Sequence, residues 1–506
     1  MPDIILINSL PFETRVALLE AGQCGEIFIE RDREPGILGN IYKGRVSRVL
    51  PGMQSAFIDL GLERTAFLYI REISPKDFSH LEESEELEIE AFEEKEKFPA
   101  KIENWLREGQ EILVQVIREP IGEKGAQLTT HLTLPGRYLV YMPTSKHLGV
   151  SRKIEDEKER ARLKNLLRQL KPDSSGGFIL RTASQGIDED QLAKEMHYLI
   201  NFWKQIQERA KTQPAPSLVF SELPLELRVL REYLSSQTKE IIVDQPEVLT
   251  RVRDYLSRFA PQMLERVHLW QESEPLFEKY GVELELDRAL EKRVWLKSGG
   301  FIIIDETEAL TTIDVNTGKY VGKKSFEDTV FKTNLEASRE IVSQLRLRNI
   351  GGIIIIDFID MDKPKNRQKV LEALKEELKK DKAKSVVVRI SEIGLTEMTR
   401  QRSEPSLVKK LCQSCPYCEG KGYIKSPRTI CYEIYREIEK NQTELAEKRV
   451  KLYVNPMVAE LLLGEEKRLV EMLKKEHKIA LEVLIRDNFH QEQYELVIEE
   501  ESETGA

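Results

Sequence analysis

The sequence predicts a multidomain chain of mixed α+β and α/β class, and three observations carry that reading. Residues 1–37 alternate apolar and polar positions (Ile4 and Leu6, Val16 and Leu18, Ile27 and Ile29), the period of antiparallel strands with one face buried. Residues 38–130 hold short strands split by glycine turns, the pattern of a small barrel. Residues 291–411 run through strands and helices in the order of a crossover unit with parallel pairing.

The elements follow in chain order. The barrel strands are expected at 39–46, 54–60, 66–70 and 112–117, with an interruption near 76–108. Within it, residues 81–98 hold nine glutamates against two lysines, an acidic insertion expected as a solvated helical hairpin. Segment 131–215 mixes strands at 137–142 and 177–182 with helices at 156–170 and 188–210, before the linker Pro214-Ala215-Pro216. Segment 222–290 is helical around a strand at 240–243. Strands at 300–305 and 311–315 then precede a helix near 326–348, stopped at Asn349-Ile350-Gly351-Gly352 with glycine available for its cap. A strand at 353–357, a helix at 366–382 and a strand at 385–390 continue the crossover pattern, and 425–506 reads as a small α+β tail.

Composition narrows the class. With 40% apolar and 32% charged residues the chain has enough core to fold. No run approaches the roughly 20 apolar residues of a membrane span. Asp3 and its polar neighbours spoil a signal peptide, so a cytoplasmic protein is expected. The net charge of −10 argues against a nucleic-acid partner only globally, since much of the excess sits in the acidic insertion. Five cysteines in 506 residues do not make a disulfide framework.

Two apolar runs end in aspartates: Thr311-Thr312-Ile313-Asp314-Val315-Asn316 and Ile353-Ile354-Ile355-Ile356-Asp357-Phe358. Read as buried strands, they set a carboxylate where burial is costly unless it is paired or holds a cation. Functional residues of parallel units collect at strand carboxyl ends. A crossover would bring Asp314 and Asp357 to one rim, with Asn316 on the face of Asp314. Magnesium takes one or two carboxylates and fills its shell with water and phosphate, and the lack of histidine disfavours zinc there. The plainer alternative makes both aspartates caps or turn formers. Asp360 and Asp362 read as loop residues or supports.

Phe57 and Phe67 fall on neighbouring barrel strands, with Lys43, Arg45, Arg48 and Lys124 as sources of charge. Exposed barrel aromatics stack single-stranded bases for roughly 1–3 kcal/mol each; the alternative is that both are barrel core. Arg181-Thr182 closes a strand and could hold a phosphate through the arginine fork, though such a pair alone is uninformative. Cys415-Pro416-Tyr417-Cys418, with Gly420 and Gly422 behind it, is a thiolate hairpin. It supplies two of the four ligands a structural zinc wants. Cys24 and Cys431 are isolated and Cys412 is a spare candidate, so the economical solution is a second subunit giving the other pair. A redox role is the rival, without a thioredoxin-like strand–C-x-x-C–helix context.

In this order the motifs resemble the ribonuclease E/G family of bacterial and plastid endoribonucleases, over nearly the whole chain. The most specific runs are 308–316, Thr333-Asn334-Leu335-Glu336-Ala337, Gln344-Leu345-Arg346-Leu347-Arg348, 356–361 and the cysteine hairpin. The resemblance implies an RNase H-like core split between 1–37 and 222–290, an OB-fold barrel at 38–130 and a 5′-phosphate sensor at 131–221. A DNase I-like domain at 291–411, a zinc link at 412–424 and a small C-terminal domain at 425–506 complete it. It makes Asp314 and Asp357 the magnesium ligands with Asn316 beside them, and Phe57, Phe67 and Lys124 the RNA contacts. Gly136, Val140, Arg181 and Thr182 match the 5′-monophosphate pocket, where a further sensor arginine of the family is replaced by Lys384, losing the bidentate fork. Cys415 and Cys418 match an inter-subunit zinc link, which implies a homodimer and leaves a tetramer open. The family's long degradosome scaffold is not visible here, as in its compact members. The expected activity is magnesium-dependent hydrolysis of single-stranded RNA in rRNA and mRNA processing, stimulated by a 5′-monophosphate and leaving 5′-phosphate and 3′-hydroxyl ends. The rival readings are a non-catalytic RNA-binding assembly protein and a magnesium phosphoesterase acting on DNA.

Overall fold

The computed structural model describes residues 2–32, 36–73, 101–120, 125–172, 176–318, 326–390, 395–401, 404–476 and 478–499. The acidic insertion and Lys124 lie outside the described residues. The chain forms two compact units, Met1–Lys410 and Leu411–Ala506. The architecture is mixed α+β and includes a closed barrel in the first unit.

In the first unit, strands Ile4–Leu10, Glu13–Glu20 and Gln23–Arg31 form an antiparallel meander. Strand Ile4–Leu10 also pairs in parallel with Glu240–Val243, which is followed in the sheet by Val267–Leu269. Two distant stretches of chain therefore share one sheet. Its inner residues Ile5, Ile7, Val16 and Leu18 pack on helices Leu225–Tyr233 and Pro246–Phe259.

The barrel strands are Ile41–Leu50, Ser55–Asp59, Ala66–Tyr69, Gln127–Thr129 and Glu111–Arg118, closed by pairing of the first with the last. Closure removes the sheet edges that would otherwise invite foreign strands. Ala56, Ile58, Leu68, Val114 and Leu128 fill the interior. Ser217–Phe220, which sequence grouped with the preceding segment, pairs instead with Ile41–Leu50. Between them, residues 134–180 form a four-stranded sheet against helices Glu157–Leu170 and Glu189–Thr212. The side chains of Asp156 and Asp188 cap those helices by accepting from Lys158 N and Gln191 N.

The sheet that carries the aspartates runs Arg293–Trp295, Phe301–Glu306, Leu310–Asn316, Gly352–Asp357, Leu395–Arg400, Ser385–Ile390. It corrects two expectations. Only the pair Leu310–Asn316 and Gly352–Asp357 is parallel. Strand Leu395–Arg400 inserts antiparallel between Gly352–Asp357 and Ser385–Ile390, so the last crossover does not end in a direct pairing. Second, the aspartate strands are not buried on both faces. Helices Phe326–Leu347 and Pro364–Leu378 pack with Ile302, Ile304, Ile313, Val315, Ile354 and Ile356. The alternate residues Thr312, Asp314, Ile353 and Asp357 face outward. The run of four isoleucines misled because both helices cover the same face.

Helix Phe326–Leu347 stops as its sequence suggests, with a different residue in the key place. Asn349, not glycine, takes the left-handed conformation at φ 50°. The Ile350 N–H reaches Leu345 O and the Asn349 N–H reaches Arg346 O, the paired bonds of a Schellman cap. In its last turn Arg346 spans Glu20 and Glu26 of the meander sheet at 2.9 Å each. The hydrogen-bonding Arg346 guanidinium holds the Glu20 carboxyl down from 4.5 to about 2.

Arg346→Met should strand both glutamates and destabilise this unit by about 3 kcal/mol, seen as an earlier urea transition at neutral pH. Because the Glu20 pKa is depressed on folding, its contribution is complete above pH 4.5 and is lost as the pH falls toward 2. The deficit of the variant should shrink over that window.

Candidate active site and RNA-binding surface

The parallel pairing sets Asp314 directly opposite Asp357. Side chains opposed in register share a face, so the two carboxylates meet on the open side of the sheet. Asn316, two residues on, donates from Nδ2 to Asp314 Oδ2 at 2.7 Å. Partial burial, then Asp314, then Asp360 push the Asp357 carboxyl above its usual range. Two like charges so placed repel unless a proton or a cation lies between them. That fits a hard divalent ion, which would use these two carboxylates and complete its shell with water and phosphate oxygens. Among the described residues no group of three or more His, Cys, Asp or Glu could hold a metal alone.

The loop behind Asp357 is fixed from the crossover helix. Buried Asn334 donates from Nδ2 to Ile359 O at 2.8 Å and accepts from Ile359 N at 3.1 Å. Asn334 stood in a run singled out from sequence, without a role assigned to it. Glu327, at the start of the same helix, accepts from Asp362 N, Lys363 N and Asn366 Nδ2.

On the barrel, Phe57 and Phe67 are register partners with ring centroids 5.6 Å apart. They alternate with the buried Ala56, Ile58, Ala66 and Leu68, so they face outward and the core alternative falls. Tyr69 extends the cluster, edge-on to Phe67 at 4.2 Å and 41% exposed. It was missed, although its two-residue spacing from Phe67 was legible. Exposed Arg48 lies opposite Phe57. Lys43 and Arg45, expected to serve RNA, both pair with Glu111.

Gly136, Val140, Arg181 and Thr182 meet at one corner of the 134–180 sheet. Arg181 Nη1 donates to Gly136 O at 2.9 Å, its backbone N–H donates to Tyr138 O, and Val140 lies opposite Ile179. The Thr182 and Ser151 hydroxyls are 3.0 Å apart. A Cβ on Gly136 would fall 2.8 Å from the Glu195 carboxylate, which accepts the backbone N–H groups of Arg137, Tyr138 and Leu139. The Arg181 fork rests on Glu232. Burial would raise the Glu232 carboxyl, but Arg181 outweighs it and leaves it at about 2. Lys384 is exposed, and its carbonyl accepts from Gln401 N. Lys382 is tied to this corner: its ammonium donates to Glu232 O and lies 3.6 Å from the Tyr233 ring centre. Burial brings Lys382 down to about 8. No sequence signal marked it.

In the second unit Cys415 and Cys418 form a tight turn, with positive φ at Glu419, Gly420 and Gly422. The Gly422 N–H points at Cys418 Sγ, 3.3 Å away, and backbone N–H groups of Cys418 and Tyr417 lower the Cys415 thiol. Such donors favour thiolates, and the pair offers half of a tetrahedral zinc set. The preceding element is the short helix Leu407–Leu411, so no strand leads into the motif. His490 packs on Tyr417 and donates to its carbonyl, fixing the turn to the domain of Arg449–Val454, Ala480–Ile485 and Tyr494–Glu499. Cys412 is exposed; Cys24 and Cys431 are buried.

The model of the Ribonuclease E/G family matches residues 133–403, and that of the RNase E/G thioredoxin-like domain matches 414–501. Ribonuclease G of Haemophilus influenzae is 44% identical over 499 residues, covering 98% of this chain and 99% of that one. The chain belongs to the ribonuclease E/G family. Ribonuclease G of Escherichia coli K12 matches to the same extent. Ribonuclease E of Haemophilus influenzae is 36% identical over 94% of this chain, which spans 50% of that relative. Among the described residues of this family member no helix is long and apolar enough to cross a membrane.

Asn334→Ala should leave the Ile359 N–H and carbonyl unpaired and cost about 2 kcal/mol. A urea transition of the first unit within about 0.5 kcal/mol of wild type, the scatter of neutral substitutions, would remove the positioning role.

Proposed function

We propose that this chain is a magnesium-dependent endoribonuclease that hydrolyses single-stranded RNA in RNA processing and decay. Ribonuclease character follows from family membership. The observation that supports the finer reading is the in-register pair Asp314 and Asp357, with Asn316 bonded to it, on an open sheet face. These residues would hold magnesium, which when bound supplies charge neutralisation at the scissile phosphate and an acidified water. Asn316 orients the Asp314 carboxylate. Asn334 holds the loop that follows Asp357. Phe57, Phe67 and Tyr69 offer bases a stacking surface, and Arg48 offers the backbone a charge.

The corner of Gly136, Val140, Arg181 and Thr182 is read as the sensor of a 5′-monophosphate, with Lys382 and Lys384 as further cations. Glu232 keeps the Arg181 fork in place, so sensing has to work beside a carboxylate already paired there. The products are read as 5′-phosphate and 3′-hydroxyl ends. Cys415 and Cys418 are read as half of a zinc site completed by a second copy, giving a homodimer. The subdomain names implied by resemblance, RNase H-like and DNase I-like, belong to the same proposal.

Asp314→Asn and Asp357→Asn should each lower cleavage of a defined RNA by at least about 10²–10³-fold, with RNA binding retained. Wild-type rates in either variant would sink the metal assignment. Cleavage of one RNA bearing 5′-monophosphate, triphosphate or hydroxyl ends reads the sensor directly, and equal rates would remove it. Cys415→Ser with Cys418→Ser should release zinc and shift sedimentation to the monomer; unchanged zinc content and mass would discard the link.

A further inference from the structure

The open face that carries the aspartates continues past them. Trp295 lies opposite Phe301, and Phe301 lies opposite Asn316. The adjacent row runs Arg293, Ile303, Asp314, Asp357. Residues opposed in register point to the same side, so Trp295, Phe301 and Arg293 share the face of the carboxylates. Neighbouring strands are about 4.8 Å apart, which puts the tryptophan backbone about 10 Å from that of Asn316.

The cluster has the build of a base platform. Trp295 is 62% exposed although its neighbour Leu296 is buried. Its ring meets Phe301 edge to face, with centroids 5.4 Å apart. The guanidinium of exposed Arg293 lies 4.7 Å from the Phe301 centroid and 5.6 Å from that of Trp295. A large aromatic left in water next to a cation suits an unpaired base, which stacks on the ring while the arginine meets its edge or the adjoining phosphate. An acidic partner protein could use the same cation. The unbroken register from Trp295 to Asn316 favours the polymer that the carboxylates act on.

We propose that Trp295, Phe301 and Arg293 form a stacking subsite for the base of a nucleotide flanking the phosphate cleaved at Asp314 and Asp357. The proposal rests on the ribonuclease reading above. The subsite is separate from the barrel aromatics: it grips the RNA at the point of cleavage and sets which base is tolerated there.

The test uses the full chain and a short single-stranded RNA with one cleavage site. The same RNA is also made with an abasic ribose at each position flanking the scissile phosphate in turn. On intact RNA, Trp295→Ala should lower kcat/KM by about five-fold to a hundred-fold, the range of one stacked base. Trp295→Phe should recover most of it, and Arg293→Gln should lose less than Trp295→Ala. At one flanking position the abasic RNA should cost wild type the same factor and cost Trp295→Ala nothing further. Because Trp295 is exposed, the variants should keep wild-type circular dichroism and melting. Equal kcat/KM for wild type and Trp295→Ala on intact RNA would overturn the subsite. So would a loss of the same size on intact and every abasic RNA, and a sedimentation shift with it would make the face a protein contact. If wild type cleaves no RNA at all, the ribonuclease reading itself falls and takes the subsite with it.

Discussion

One register decides which carboxylates this chain brings together. Strands Leu310–Asn316 and Gly352–Asp357 pair in parallel so that Asp314 lies against Asp357. A slip of one residue would turn either carboxylate into the covered face. That face is filled by Ile313, Val315, Ile354 and Ile356. Burying a lone carboxylate among them would cost several kcal/mol, roughly the scale of an unpaired buried charge. The apolar residues therefore fix the register, and the register places the polar ones.

The crossover helix Phe326–Leu347 ties this arrangement to the rest of the unit. Its middle grips the loop after Asp357 through Asn334, and its end carries Arg346 into Glu20 and Glu26. Glu26 also accepts from the Tyr233 hydroxyl, and Lys382 lies on the Tyr233 ring while donating to Glu232 O. Glu232 in turn holds Arg181. A continuous chain of polar contacts thus runs from the Arg181 corner to the helix that supports the aspartates. Each link joins segments distant in sequence, and none of the partners could be named from the sequence.

Much of the site was legible because short-range periodicity reports which side chains share a face. Asn316 sits with Asp314 for that reason, and Phe57 and Phe67 face outward because the residues alternating with them are barrel core. The same rule would have added Tyr69. It failed for the isoleucine run 353–356, since an apolar strand does not say whether one or both of its faces are covered. It also failed for Lys43 and Arg45, whose charge is met by Glu111 from a strand far along the chain. Asn349 took the helix-ending conformation expected of glycine because asparagine tolerates the left-handed region.

The mixed class, the small barrel, the crossover at the aspartates and the cysteine turn can all be read from the chain before it folds. Each is written in local signals: periodicity, glycine punctuation and the spacing of like residues. Folding adds what no local signal carries: Glu240–Val243 completes the meander sheet, Leu395–Arg400 inserts beside the aspartate strand, and Lys382 meets Glu232. Folding also brings Trp295 into line with Asn316 through Phe301. These depend on pairings between segments remote in sequence. Such pairings are selected by the packing of the whole unit, and no local pattern encodes them.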